Sequence, residues 1–260
     1  MASLKPKPKL LRPIHPNAGC AAAYRKRLDS FVAEMTRSAE YWILAAYKKS
    51  PPIAQDASPS VELSRTIAAL ALRWRRKLNR DAKDIAQRHV EAMQRASNLS
   101  LQSALIDSGW AVKFTMTRAM QDALSAQIEE NIGLIKSIPE KYFSDLQGVV
   151  MRNYSKGRDL EAMHKEIMAK TGATRSRAIL ISVDQSRKAN SIVNRTRAAE
   201  LGITQAKWLH STAGNEPRKS HVAANGKVYD IAEGLKIDGE FIHPGELINC
   251  RCIQRIILPF

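Results

Sequence analysis

Long apolar runs are missing from this 260-residue chain. No stretch approaches the ~20 apolar residues that a membrane-spanning helix requires, so no membrane partner is expected. The amino terminus, MASLKPKPKLLRPIHP, is charged but has no apolar core, which argues against a secretory signal. Cysteine is scarce: Cys20, Cys250 and Cys252 are the three. Cys250 and Cys252 stand too close along the chain for an easy disulfide, and Cys20 is far away in sequence. A reducing or redox-indifferent setting fits that usage. Aromatic residues make up only 6%, against abundant Ala, Arg, Ser and Leu, a mix that favours helix over sheet. No phosphate-cradling glycine loop is present; Gly202 and Gly214 are isolated.

What the chain has is positive charge, unevenly placed. The net formal charge is +16, yet residues 201–260 hold seven Lys/Arg and six Asp/Glu. Residues 1–200 therefore carry +15. A strongly basic part beside a near-neutral tail implies different partners, and the basic part suits DNA, RNA or an acidic protein surface.

Proline and cations open the chain. Residues 4–16 hold four of each, which predicts an extended arm over residues 1–19. Such an arm suits docking on a partner. A helix is expected over 20–49, with Tyr24, Leu28, Phe31, Met35 and Trp42 as its apolar positions. The three prolines of 50–60 read as a linker. A long helix follows over 61–105, with Ile67, Leu70, Trp74, Leu78, Ile85 and Met93 on one face. Between 73 and 95 lie eight Lys/Arg against three acids. Arg73, Arg75, Arg76, Lys77, Arg80 and Lys83 are the candidate DNA-facing residues, with a solvated surface as the alternative. Trp74 sits among them, but its place on the apolar stripe makes it a core residue rather than a base-stacking one. Gly133 and Pro139 predict a break, Pro139 opening a new helix. Lys170-Thr171-Gly172 predicts another stop, with Thr174 or Ser176 capping a last helix to about Leu201.

The tail changes character. Short apolar runs at 207–209, 228–231, 241–242 and 252–258 are separated by Asn225-Gly226, Asp238-Gly239 and Pro244-Gly245, which is hairpin punctuation. The expected fold class is α+β: a basic helical body over 20–204 and a small β-rich module over 205–260. A module so small must dock on the helices or be tied by a metal. Alternation along a strand puts Cys250 and Cys252 on one face. With His221 and His243 they form a chemically sensible zinc set. The spacing matches no familiar finger, which favours packing, with no cofactor, through Trp208, Val228, Tyr229, Phe241, Ile253 and Ile256. Cysteine–histidine catalysis is unsupported, because the nearest acids, Asp238 and Glu246, sit in turns.

Two features of the tail carry a resemblance. Trp208 is followed at close range by Pro217-Arg218-Lys219-Ser220-His221, and His243-Pro244 by Asn249-Cys250-Arg251-Cys252 and an apolar end. In that order they resemble the phage head morphogenesis family, the Mu F-like minor head proteins, over roughly 157–254. The motif residues are Trp208, Arg218, His221, Cys250 and Cys252. Gln185, in Ser182-Val183-Asp184-Gln185, stands where the family has a glutamate, and Asn215 where many members have an aspartate. The resemblance implies a minor capsid protein of a tailed phage, present in the virion head at the portal vertex and in host cytoplasm during assembly. It implies the portal protein, other head proteins and genomic DNA as partners, in head assembly, DNA packaging or ejection, and no catalysis. Some relatives carry a toxin domain after this module; the eight residues after Cys252 leave none expected here. Two alternatives remain at this stage: a metal-dependent nucleic-acid enzyme or toxin-like effector using the His/Cys tail, and a stand-alone nonspecific DNA-binding protein.

Overall fold

Asn17 starts the first helix. Its side-chain oxygen accepts the Cys20 N–H at 2.9 Å, filling one of the donors that a helix start leaves open. The helix α1 (Ala18–Lys49) then buries Tyr24, Leu28, Val32, Met35, Ala39, Ile43 and Tyr47, three to four residues apart. Ile43, not Trp42, continues the stripe; Trp42 is 48% exposed. A computed structural model describes residues 9–49, 59–156, 160–212 and 216–259. The linker expected at 50–60 lies almost wholly outside them. Helix α2 (Pro59–Ile106) opens on proline, whose missing N–H costs nothing in a first turn. It ends at Gly109, which takes a φ of 91° while the Trp110 N–H turns back to the Leu105 carbonyl. All six expected stripe residues of α2, from Ile67 to Met93, are buried.

Two expected breaks are absent. Helix α3 (Arg118–Ser155) passes through Gly133 and Pro139, and helix α4 (Leu160–Glu200) passes through Gly172. Proline removes the donor for one carbonyl, but Ile135, Ile138, Tyr142, Phe143 and Leu146 are all buried around it. At Gly172 the glycine costs about 1 kcal/mol against alanine, which burial of Ile167, Ala178 and Ile181 can outweigh. The Thr174 hydroxyl donates to the Lys170 carbonyl inside the helix and caps nothing. The tail, by contrast, follows the expected punctuation. It holds β2 (Gln205–Leu209), the short helix α5 (Lys219–Ala223), β3 (Val228–Asp230), β4 (Leu235–Ile237), β5 (Glu240–Ile242) and β6 (Ile253–Leu258). Asp238 and Gly239, both at positive φ, form the two-residue turn between β4 and β5. The fold is thus α+β, 69% helical with a strand-rich end.

By packing, the chain divides into two units. One comprises residues 23–86 and 129–182 and is wholly helical among its described residues. Its core includes Leu28, Met35, Leu63, Ile67, Trp74, Tyr142 and Phe143, with Phe31 edge-on to Trp74 at 5.5 Å. The other comprises residues 1–22, 87–128 and 183–260 and contains the tail. There an antiparallel sheet runs β1-β6-β2-β3, where β1 is Lys9–Leu10. From residue 9 onward the amino-terminal segment joins this unit rather than awaiting a partner. Lys9 pairs with Leu258 and Leu10 with Ile257. Leu11 and Ile14 are 1% and 5% exposed and share a core with Leu101, Leu105, Trp208, Tyr229, Ile256 and Leu258. The Leu11 carbonyl accepts from Arg255, and the Ile14 carbonyl from Asn190. Of the tail residues expected to pack, Trp208, Tyr229 and Ile256 are buried, whereas Val228 and Phe241 are about half exposed, 48% and 58%.

The buried arm predicts a stability effect. Leu11→Ala should cost about 2–5 kcal/mol, the range for emptying a filled core position. Chemical denaturation of the purified chain measures it. A change below about 0.5 kcal/mol would return the arm to the surface.

Candidate functional site

Strand β6 aims the chemistry. Gln254, Ile256 and Leu258 lie on its buried face, and the same two-residue alternation carries back to Cys252 and Cys250. Both thiols are 3% exposed. Helix α5 brings His221 to them. Its Nδ1 lies 3.5 Å from the Cys250 sulfur and 3.7 Å from the Cys252 sulfur. The end of β2 brings His210, whose Nδ1 lies 3.6 Å from the Cys252 sulfur. Trp208 stands edge-on to the His221 ring at 5.3 Å. These groups border a cleft of about 430 Å³, lined also by Glu216, Arg218, Asn249 and Arg251.

The loop before Cys250 is held from several sides. Ser191 donates to the Pro244 carbonyl at 2.6 Å, and the Asn249 N–H donates to Asp184 at 3.0 Å. Asn249 has a φ of 62°, a conformation that asparagine tolerates better than most residues. Arg218 donates to the Ile248 carbonyl at 2.9 Å and so fastens the loop. Burial raises the Asp184 carboxyl above its ordinary value. The two thiols split each other. Cys250 is lowered, first by its hydrogen bond with Cys252 and further by the Gly245 N–H; the same contact raises Cys252. The arrangement offers soft sulfur and nitrogen donors close together.

The structure brings together three of the four residues named from sequence, His221, Cys250 and Cys252. It places the fourth, His243, elsewhere. The His243 Nε2 meets the Ile231 carbonyl at 3.0 Å, and its backbone N–H and Nδ1 face Glu246 at 2.8 and 3.3 Å. His243 therefore packs the turn of Pro244-Gly245. His210 instead approaches the cluster at Cys252. The sequence held a signal for it: His210 follows Trp208 by two residues at a strand end, which puts both on one face. Asn215 lies outside the described residues. Gln185 is 2% exposed and hydrogen-bonded to Gln127, a neutral pair where an acid would need a charged partner.

The basic residues of α2 occupy the helical unit. Arg73, Arg75, Arg76, Arg80 and Lys83 are exposed. Arg73, Arg76, Lys77 and Arg80, with Ala69 and Leu72, border a shallow groove. Lys77 lies over the Trp74 ring at 4.8 Å and reaches Glu34 at 2.6 Å, and Arg80 reaches Asp81 at 3.1 Å. Exposed pairs of this kind are worth less than about 1 kcal/mol, so they do not neutralise the surface for a polyanion. Trp74 itself is 5% exposed and belongs to the core.

Comparison with known proteins places this architecture. Residues 144–255 match the family described as Phage Mu protein F like protein, which supports a place in the Mu F-like phage head family. An uncharacterized protein of Haemophilus influenzae is 33% identical over 176 residues, covering 66% of this chain. The chain spans only 36% of that relative's length. No solved structure matches. No helix among the described residues is long and apolar enough to cross a membrane.

The His243–Glu246 turn makes a pH prediction. Hydrogen bonding from His243, with Arg195 nearby, lowers Glu246 to about 2. Its folded value is depressed, so its stabilisation is present above the ordinary carboxylate value of 4.5 and fades as pH falls toward 2. Glu246→Gln should cost about 1 kcal/mol at pH 7, reduced by solvent screening of a partly exposed group. The cost should shrink below pH 4.5, and denaturation curves at pH 7 and pH 3 test it. An equal cost at both would assign the loss to shape, not charge.

Proposed function

We propose that this chain is a minor head protein of a tailed bacteriophage, acting at the portal vertex in head assembly, DNA packaging or ejection. The observation that carries the reading is the family match over residues 144–255, which includes all of α4 and most of the tail module. Its motif residues each have a defined place. Trp208 is fully buried, Arg218 fastens the Ile248 carbonyl, and His221 meets both thiols. Partners are the portal protein and other head proteins, with genomic DNA touched without sequence preference. The protein works through assembly rather than turnover. Co-purification with the cognate portal protein and recovery in heads test this. Absence from purified heads, together with metal-dependent nuclease activity of the isolated chain, would replace it with the enzyme reading.

The DNA contact rests on the exposed cations of α2. Each phosphate neutralised contributes a slope of about −0.9 in log K against log salt. Replacing Arg73, Arg75, Arg76 and Lys83 together with Gln should weaken DNA binding and flatten that slope by up to about 3.6 units. Lys227→Gln should change it little. Fluorescence anisotropy across a salt series with two unrelated duplexes measures both quantities. A flat salt response, or a marked preference for one duplex, would sink the nonspecific contact.

A further inference from the structure

Four soft donors converge in the tail from three separate chain segments. His210 ends β2, His221 sits in α5, and Cys250 and Cys252 precede β6. Three of their four sulfur–nitrogen separations are 3.5, 3.6 and 3.7 Å. A tetrahedral zinc with bonds of ~2.3 Å to sulfur and ~2.0–2.1 Å to nitrogen requires sulfur–nitrogen edges of about 3.6 Å. Three of the four sulfur–nitrogen edges of such a tetrahedron already have that length.

The local architecture supplies a second, independent reason. Helix α5 is five residues long, and His221 is the buried residue within it. So short a helix has almost no intrinsic stability, because nucleation costs more than its few bonds return. Its position depends on what its one buried imidazole grips. That imidazole grips the two sulfurs, and its Nε2, although buried, has no hydrogen-bond partner. A ring held by one nitrogen toward two thiols suits a metal ligand better than a packing element. The cysteines are free, which leaves both sulfurs available.

We propose that His210, His221, Cys250 and Cys252 bind one zinc ion that staples α5 and the 245–252 loop to the sheet. On binding, each thiol loses its proton to solvent and both sulfurs become ligands. Two thiolates and two neutral imidazoles balance the dication, so the buried site carries no net charge. Thiolate–imidazole donors in a tetrahedron select zinc over the hard cations, which prefer oxygen. The site is closed and structural: all four positions are filled by protein, leaving none for a reacting water. Binding free energy then becomes folding free energy for the module.

The test uses the full chain, with zinc alone as the probe. Elemental analysis after purification without chelators should find one zinc per chain. Cobalt(II) in its place should give the intense visible bands of a tetrahedral thiolate site. Competition with a chelating dye should show zinc affinity falling by at least about tenfold in His210→Ala and in Cys252→Ser. His243→Ala should stay within about twofold and serves as the control for general damage to the tail. His210→Cys, which keeps a ligand at that position, should retain stoichiometric zinc even where His210→Ala does not fold. The proposal is overturned if the wild-type chain neither carries nor takes up stoichiometric zinc. It is equally overturned if His243→Ala loses the metal while His210→Ala keeps it.

Discussion

Strand β6 is the constraint on which the tail depends. It is six residues long and is paired on both edges, by β1 on one side and β2 on the other. An antiparallel strand fixes which side chains face inward through its register, and a slip of one residue would turn every one of them over. Here Trp208 stands opposite Gln254 and Ala206 opposite Ile256. That register puts Gln254, Ile256 and Leu258 into the core and carries both cysteines to the same side. The first strand of the chain thus helps to position chemistry that lies some 240 residues later, since Lys9 and Leu10 close the outer edge of β6. An open edge there would be a template for another strand.

The helices beneath the sheet use polar contacts to fix its place. Residues 183–200 of α4 bury Gln185, Ser186, Asn190, Ser191, Asn194 and Arg197. Such groups are costly inside unless satisfied, and satisfied ones specify one arrangement over its neighbours. Asn190 accepts from Ser97 and donates to the Ile14 carbonyl, while Ser191 reaches the Pro244 carbonyl. Arg197, 1% exposed, donates to Asn98, to the Thr115 carbonyl and to Glu200, and lies over the Phe114 ring. A buried guanidinium with so many partners contributes more to a unique register than to net stability, because its desolvation offsets much of the gain. One helix face therefore orients the amino-terminal strand, the 110–117 segment and the 243–252 turn at once.

Where sequence reasoning worked, the signal was periodic or stereochemical. Helix α2 was legible because its apolar residues recur at three and four, and the tail strands because glycine turns bracket short apolar runs. The Asp238-Gly239 hairpin was legible because few residues accept positive φ. Where it failed, the deciding interactions were long-range. Pro139 and Gly172 are local breakers, but burial on both sides of each carries the helix through. Leu11 and Ile14 sit among prolines and cations, so no window of the sequence marks them as core; their partners lie in α2, α4 and β6. The proposed ligand set shows the same limit. Parity along the chain put Cys250 and Cys252 together, but it could not choose between His210 and His243. That choice is made by β2 pairing with β6, which sets the end of one strand beside the start of the other.

The separation of charge now has a physical basis. The near-neutral tail is built from backbone pairing, buried aromatic and aliphatic contacts and a cluster of soft donors, none of which requires net charge. The cations of α2 are supported differently. They project from a helix whose opposite stripe, Leu63, Ile67, Leu70, Trp74 and Leu78, is buried. A stripe that regular leaves the other positions free to carry almost any side chain at little cost to folding. Eight basic residues against three acids over 73–95 is therefore not demanded by the fold. Lys77 shows the point in one side chain: its ammonium lies over the Trp74 ring and also meets Glu34. The fold explains why these positions can be basic, and the proposed polyanionic partner would explain why they are. Where self-repulsion across a helix face brings the isolated chain nothing in return, contact with phosphate would repay it through released counterions.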